Sequence, residues 1–260
     1  ENSWRTSLAP NNWDAAWIFV KYRINGGDGL WRHAYIDING CLSPAGSIIN
    51  PANDGTGAFI YRSNDGDGTF SVSGVKLKWN YSNSIKNDIG PLYVQDNDLV
   101  ELKVFAIEMV YVPQGSFYLG SGSSRVGREE SPIYQYPNIT TPYNVLSEQA
   151  IDVGTTSGNL YYDFIEWTNG DQLGPIPHLF PKGYKAFYCM KYELCQQQYI
   201  DFLNCLTQTQ ADLRKYDTNL ARYAIVGDVV GSFSTANPYV AINWLSFGDL
   251  GAYLDWAALR

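Results

Sequence analysis

The chain has 260 residues, of which 45% are hydrophobic and 15% aromatic, and its net charge is -8. This length suits two domains with separate cores. The acidic balance offers no basic stripe and argues against a nucleic-acid partner, and no run of 18 apolar residues predicts a transmembrane segment. The 24 glycines and a charged fraction of 17% favour an extracellular or cell-surface location.

Short aromatic and β-branched runs dominate the first hundred residues. They lie at residues 17–20, 59–61 and 100–106, and Gly-, Asp- and Asn-rich turns separate them at residues 26–29, 53–57 and 64–68. This alternation is typical of antiparallel strands joined by tight turns. Residues 75–79 alternate between apolar side chains and lysine, which predicts one buried and one exposed face. We therefore predict an immunoglobulin-like β-sandwich domain over residues 1–106.

The turn at residues 64–68 has a second interpretation. Asp65 and Asp67 place carboxylates at alternating positions, as calcium-binding loops do. The distal bidentate glutamate of an EF-hand does not follow them. A hairpin turn and a calcium site both stay open for Asp65 and Asp67.

The second region, residues 107–260, has a mixed order of strands and helices. Two short strands are predicted around a turn at residues 113–115, and the aromatic stretch 186–192 is predicted to be a buried strand. A helix should follow, because apolar side chains recur there at three- and four-residue intervals. Those side chains are Tyr199, Phe202, Leu203 and Leu206.

The last sixteen residues predict another helix. Ser246 is a suitable N-cap, and Asp249 three positions later is suited to complete a capping box. An apolar stripe follows at helical spacing. The stripe consists of Leu250, Tyr253, Leu254 and Ala257.

Three segments in this order resemble the formylglycine-generating enzyme family, also called the sulfatase-modifying-factor family. Residues 109–120 match its Met-Val-x-Val-Pro-x-Gly-x-Phe-x-Leu/Met-Gly run, and residues 187–202 match its Phe-x-x-x-x-Tyr-Glu-Val-Ser/Thr-x-x-x-Tyr-x-x-Phe run. Residues 246–256 match a third run, Ser-Trp-x-Asp-Ala-x-Ala-Tyr-x-x-Trp, with Phe247 in place of the first Trp. Three ordered matches are far more specific than one.

The resemblance implies a variant of the C-type lectin fold over residues 107–260. It also implies that this domain is truncated, because the family continues past Arg260 into a second half that holds the copper-binding cysteine pair of its oxidases. Glu193 stands where the family has an acidic residue, and a helix-entry charge favoured by the helix dipole explains it better than a functional role does. Cys195 replaces the family's Ser or Thr at the helix cap. We therefore expect no catalytic residue within this chain.

Two classes of function follow from these expectations. The first is a noncatalytic extracellular or cell-surface protein that binds a protein or glycan partner or builds an assembly. The alternative is a formylglycine-generating oxidase, or a related sulfoxide synthase, whose catalytic half lies beyond Arg260. We also expect both ends to be cuts in a longer secreted precursor, and another chain could complete the truncated domain.

Cysteine and histidine usage predicts neither a metal nor a cofactor. The four cysteines lie at positions 41, 189, 195 and 205 without a Cys-x-x-Cys spacing, and the only histidines are His33 and His178. A disulfide between Cys189 and Cys205 is conceivable, but spacing does not establish it.

The segment 141–181 is the predicted recognition surface. It combines Gly, Pro and Asp with Tyr161, Tyr162, Trp167 and His178 and shows little periodicity, as binding loops on a rigid scaffold do. A second aromatic group has two interpretations, a sugar-stacking platform or, more in keeping with its helical spacing, core. Its members are Trp244, Tyr253 and Trp256.

Overall fold

The computed structural model describes residues 1–81, 94–123, 133–162, 173–216 and 222–259, and it shows an α+β protein with mostly antiparallel strands. In the first part of the chain the strands are β1 Trp13–Ile24, β2 Arg32–Ala34, β3 Ser47–Pro51, β4 Ala58–Arg62 and β5 Val100–Val112. In the middle they are β6 Phe117–Leu119, β7 Ile133–Gln135, β8 Tyr143–Val145, β9 Leu160–Tyr162 and β10 Phe187–Met190. The remaining elements are α1 Gln196–Leu203, α2 Gln208–Asp212, β11 Ile225–Val226, β12 Ser234–Thr235 and α3 Phe247–Ala257.

The chain forms two compact units. Residues 1–110 and 189–260 make the first unit, and residues 111–188 make the second unit. One break therefore falls near the predicted boundary at residue 106, whereas residues 189–260 are grouped with the start of the chain. The predicted domain division, 1–106 and 107–260, stays a prediction.

A single antiparallel sheet organises the first unit. Its strand order is β10-β5-β1-β4-β3, and β2 also pairs with β1. Trp17 lies opposite Phe59 in the β1–β4 register, and Ile49 lies opposite Ile60 in the β3–β4 register. The described strands of this region thus share one sheet, and the immunoglobulin-like pairing of two sheets stays a prediction.

The α3 helix covers one face of this sheet through aromatic contacts. Phe19 of β1 is fully buried and lies 5.0 Å from Trp256 and 5.2 Å from Phe105, between ring centres. The Trp17 Nε1–H donates to the Ala257 carbonyl oxygen at 2.8 Å. Burial of each such side chain contributes about 1.5–3 kcal/mol, so these contacts fix α3 on the sheet.

The other face of the sheet has its own core. Tyr22 is buried and packs against Trp79 with ring centres 4.9 Å apart, and Leu77 joins the same cluster. Residues 75, 77 and 79 are partly buried while Lys76 and Lys78 are exposed, as the alternation predicts. This segment makes isolated bridges to Ile36 and Leu42 instead of a regular strand.

The α1 helix occurs where the apolar spacing predicts it. Tyr199, Phe202 and Leu203 are fully buried, whereas Leu206 lies beyond its end. The Cys195 side chain makes no capping hydrogen bond, and the Cys195 N–H instead donates to Gln198 Oε1 at 3.0 Å. The side chain of position N3 thus fulfils its half of the capping box.

The α3 helix begins with the predicted capping box. Ser246 Oγ accepts from the Asp249 N–H at 3.1 Å, and the Ser246 N–H donates to Asp249 Oδ2 at 2.9 Å. Tyr253 and Ala257 are buried as predicted, but Leu250 is exposed. Trp256 is partly buried, and it contacts aromatic side chains of the sheet.

The strand predicted at residues 186–192 is shorter and less buried than expected. It spans Phe187–Met190, and its residues are exposed or half-buried. The reason is its position at the edge of the sheet beside β5. An edge strand has a neighbour on one side only, so an aromatic sequence there does not imply burial.

The second unit is built from two short ladders. β6 pairs with β8 and β7 pairs with β9, each over three residue pairs. Val145, Ile151 and Leu160 form its small buried core, with Phe117 and Tyr184 packed against them. Loops therefore make up most of the part of this unit that the structure describes.

Candidate recognition surface

The predicted recognition segment is described for residues 141–162 and 173–181, and Trp167 lies outside the described residues. Its two parts meet at an antiparallel bridge between Ile151 and Ile176. The Ile151 N–H donates to the Ile176 oxygen at 3.1 Å, and the Ile176 N–H donates back at 2.8 Å. This bridge fixes the start of the loop that leads to His178.

The Glu148 carboxylate holds the far end of that loop. Its Oε1 accepts from the N–H groups of Tyr184 and Lys185, both at 2.9 Å, and its Oε2 accepts from the Lys182 N–H at 2.7 Å. These backbone donors stabilise the ionised form and lower the pKa of Glu148 below its usual value. A single carboxylate thus organises residues 182–185.

The Lys182 side chain stabilises residues 177–180 of this loop. Its Nζ donates to the Pro177 carbonyl oxygen at 2.6 Å and to the Phe180 carbonyl oxygen at 2.5 Å. The Phe180 N–H also donates to the Pro177 oxygen at 3.0 Å, which forms a tight turn. Residues 177–180 are therefore held by main-chain atoms, and their own side chains are not used.

The side chains at the tip of this loop point away from any core. Leu179 is 83% exposed and Phe180 is 60% exposed, and Phe187 is also exposed. Leu179 and Phe187 border a surface groove of about 630 Å³. Its lining includes Glu148, His178, Leu179, Pro181, Lys185 and Phe187. We call the groove and the tip residues 179 and 180 the recognition surface.

The recognition surface combines apolar and basic groups. The lining carries the Glu148 carboxylate, which stays negative while its oxygens accept from three backbone donors, and the Lys185 ammonium group. Such a surface is suited to apolar side chains accompanied by a carboxylate. Sequence reasoning identified this segment but missed Glu148, since nothing around residue 148 indicates that a later loop folds onto it.

Of the three aromatic residues considered as a sugar-stacking platform, two lie in the core and one lies at the surface. Tyr253 is buried and Trp256 packs against Phe19, Phe105 and Phe202, which confirms the core interpretation for both. Trp244 is half-exposed and stacks on Tyr216 with ring planes 5° apart. The three rings do not share one surface.

The carboxylate of Asp65 has a structural role in its turn. Its Oδ2 accepts from the Ser7 N–H at 3.0 Å and the Ser7 hydroxyl at 2.6 Å, which lowers its pKa. Asp67 is exposed. Across the described ranges no group of three His, Cys, Asp or Glu side chains is placed to hold a metal ion.

The cysteines and histidines are dispersed. All four cysteines are free thiols, so Cys189 and Cys205 form no disulfide. Burial raises the pKa of Cys205. His33 is hydrogen-bonded to Lys21 Nζ through Nδ1 at 3.0 Å and to the Thr56 oxygen through Nε2, whereas His178 lines the recognition surface. Glu193 is exposed just before α1.

Comparison of the chain with protein-family models, with curated proteins and with solved structures gave no match. Within the described residues, no helix has both the length and the apolar character required to cross a bilayer. Class assignment therefore rests on the fold, an α+β protein with antiparallel sheets, and on the geometry of its surfaces.

Proposed function

We propose that this chain is a noncatalytic protein of the cell surface or extracellular space that binds a partner protein through its recognition surface. One observation carries the proposal: two large apolar side chains, Leu179 and Phe180, are exposed on a loop that is rigidly held. Apolar groups gathered at the tip of a fixed loop are typical of binding sites.

The energetics favour such a role. Burying Leu179 and Phe180 in a partner would contribute about 1.5–3 kcal/mol each. The contacts of Glu148 and Lys182 order the loop in advance, so binding costs little additional conformational entropy. The partner that fits best offers an apolar pocket and a carboxylate for Lys185.

Membership of the formylglycine-generating enzyme family is part of the same proposal. The strand at Phe187–Met190 and the helices Gln196–Leu203 and Phe247–Ala257 overlap the two later matching segments, which supports the alignment of those motifs. A lectin-like domain over residues 107–260, preceded by an immunoglobulin-like domain, is the arrangement we infer. The low charged fraction supports the extracellular location.

The test is crosslinking followed by affinity measurement. A photoreactive phenylalanine analogue at position 180 is used to capture the partner in the native host, and the purified partner is then titrated against variants. Leu179→Ser with Phe180→Ser should weaken binding at least tenfold. Leu213→Ser is the matched control, because Leu213 is equally exposed in the first unit. Equal affinities for the double variant, the control and the unmodified chain would refute the proposal.

A further inference from the structure

The longest strand of the first unit has an edge that is only partly covered. β5 spans 13 residues, whereas β10, its neighbour on the side away from β1, spans four. The Lys191 N–H donates to the Glu108 oxygen at 2.9 Å, and the Gly115 N–H donates to the Tyr184 oxygen at 3.0 Å. The two segments therefore run in opposite directions, and β10 lies beside the end of β5 that follows Glu108. Among the described strands, none lies beside residues 100–106 on that side.

Hydrogen bonds at both ends of β5 show which of its main-chain groups point outward. The N–H of Asn25, which follows β1, donates to the Leu99 oxygen at 2.8 Å, so the main chain of Leu99 faces β1. Main-chain groups of successive strand residues point to opposite sides, so those of the even-numbered residues in 100–106 face away from β1. The Glu108 oxygen, which accepts from Lys191, follows the same alternation. This outward row of N–H and C=O groups is a template to which a further strand can add.

The side chains of these outward-facing residues are apolar and exposed. Leu102 is 54% exposed and Val104 is 65% exposed, and Ala106 is exposed as well. Alternate residues of a strand lie on one face of the sheet, so these three side chains form one apolar row. Proteins usually shorten, bend or cover such an edge, because it invites pairing with another strand.

Charged side chains alternate with this apolar row. The Glu101 side chain is half-exposed, and its Oε2 accepts from Arg23 Nη2 at 2.6 Å. Lys103 Nζ lies 4.5 Å from the centre of the Trp31 ring and 3.9 Å from Cys205 Sγ. A lysine on an edge strand opposes pairing in general. Lys103 therefore favours a strand that places a carboxylate opposite it.

A second copy of β5 offers that carboxylate. When two β5 strands pair antiparallel about a two-fold axis at Leu102, Glu101 of each copy lies opposite Lys103 of the other. Val104 then lies opposite Val100, so the apolar row continues across the axis. An axis one residue earlier would place Glu101 opposite Glu101, and an axis one residue later would place Lys103 opposite Lys103. Like charges directly opposite each other destabilise a sheet, so charge complementarity selects the axis at Leu102.

We propose that this chain forms a two-fold dimer in which β5 pairs antiparallel with β5 of a second copy, with Leu102 on the axis. The outward N–H and C=O groups of the two Leu102 residues bond to each other, and the two sheets become one. The contact surface is the same on both copies, as a closed dimer requires. Because the shared ladder is short, it covers less area than a standard interface, and dimerisation depends on protein concentration. The pairing uses the first unit only and does not depend on the function proposed for the recognition surface.

Sedimentation equilibrium of the whole chain over a series of concentrations is the test. The average mass should rise with concentration from that of one chain toward that of two. Leu102→Pro removes the outward N–H on the axis but leaves the ladder with β1, and proline is tolerated at such edge positions. This variant should stay monomeric, with a thermal midpoint close to that of the unmodified chain. A monomer at every concentration for the unmodified chain, or dimerisation unchanged by Leu102→Pro, would overturn the proposal.

Charge variants test the register without introducing proline. Glu101→Lys and Lys103→Glu each place like charges opposite each other, so each should lower the association constant about tenfold. An equimolar mixture of the two variants should associate again, because each supplies the charge that the other needs. Asp67→Lys is the matched control, since it makes the same change of charge in an exposed turn and should dimerise like the unmodified chain. If the two single variants dimerise like this control, or if their mixture stays monomeric, the proposed pairing is wrong.

Discussion

The two units are stabilised by different means. The first unit is stabilised by side chains that pack around one sheet. The fully buried ones include Phe19, Tyr22, Tyr199, Phe202 and Tyr253. In the second unit, a core of three residues supports a structure in which one carboxylate and one ammonium bind main-chain atoms. A packed core makes a unit resistant to unfolding. Hydrogen bonds between a charged side chain and main-chain atoms instead fix the shape of a loop without burying its side chains.

The largest loss of stability is expected from a substitution in the core of the first unit. Phe19→Ala removes the ring that contacts Phe105 and Trp256 and should destabilise the chain by about 3–5 kcal/mol. Urea denaturation followed by tryptophan fluorescence measures this loss. Val145→Ala tests the second unit in the same way and should cost less, because it removes fewer buried carbon atoms than the loss of a phenyl ring. Equal losses would refute the difference between the units.

The next largest effect should be a dependence of the free energy of unfolding on pH. Burial, followed by the charge of Lys21, lowers the pKa of His33 from 6.5 to about 4. The unfolded chain therefore binds this proton more readily than the folded chain. The contribution of neutral His33 to the free energy of unfolding is fully present above pH 6.5. It decreases as the pH falls toward 4, by roughly 3 kcal/mol.

Denaturation midpoints between pH 7 and pH 4 measure this dependence. His33→Gln should reduce the slope in that range, while His178→Gln should leave it unchanged. Other acidic groups titrate in the same range, so the informative quantity is the difference between the two variants. Identical slopes would show that His33 does not titrate as its burial requires.

A local effect is expected in the second unit. Glu148→Gln removes the charge that the Lys182, Tyr184 and Lys185 amides bind, so those amides should exchange hydrogen several-fold faster. Exchange in the first unit should be unchanged. The Glu148 pKa is lowered in the folded chain. Protection should therefore persist at and above the ordinary glutamate pKa and be lost as the pH falls through the lowered value.

The exchange measurement includes an internal comparison. Asp152→Asn changes an exposed carboxylate of the same unit and should leave the amides of residues 182–185 protected. If this variant accelerates their exchange as much as Glu148→Gln does, general charge effects rather than the Glu148 contacts order the loop.

Local rules predicted α1 and α3 but missed the short helix α2 at Gln208–Asp212, although its Thr207 N-cap is also a local signal. The Ser246–Asp249 pair and the spacing of Tyr199, Phe202 and Leu203 depend on neighbours within one or two turns, so the sequence alone sufficed. The edge position of Phe187–Met190 depends on which strand lies beside it, and sequence does not contain that information.

The candidate site was predictable only in outline. Its Gly- and Pro-rich composition indicated a recognition loop at residues 141–181. The role of Glu148 depends on amides 34 to 37 residues away, as in its bonds to Lys182 and Lys185. The packing of Trp256 likewise depends on Phe19 and Phe105, which belong to strands far earlier in the chain.

The Lys182 contacts have a consequence for how this protein can diversify. Lys182 holds residues 177–180 through carbonyl oxygens, and every amino acid supplies those atoms. Substitutions at positions 179 and 180 can therefore accumulate without altering the backbone shape. A lineage could change its partner by exchanging two side chains on an unchanged support, and selection for stability would not oppose it.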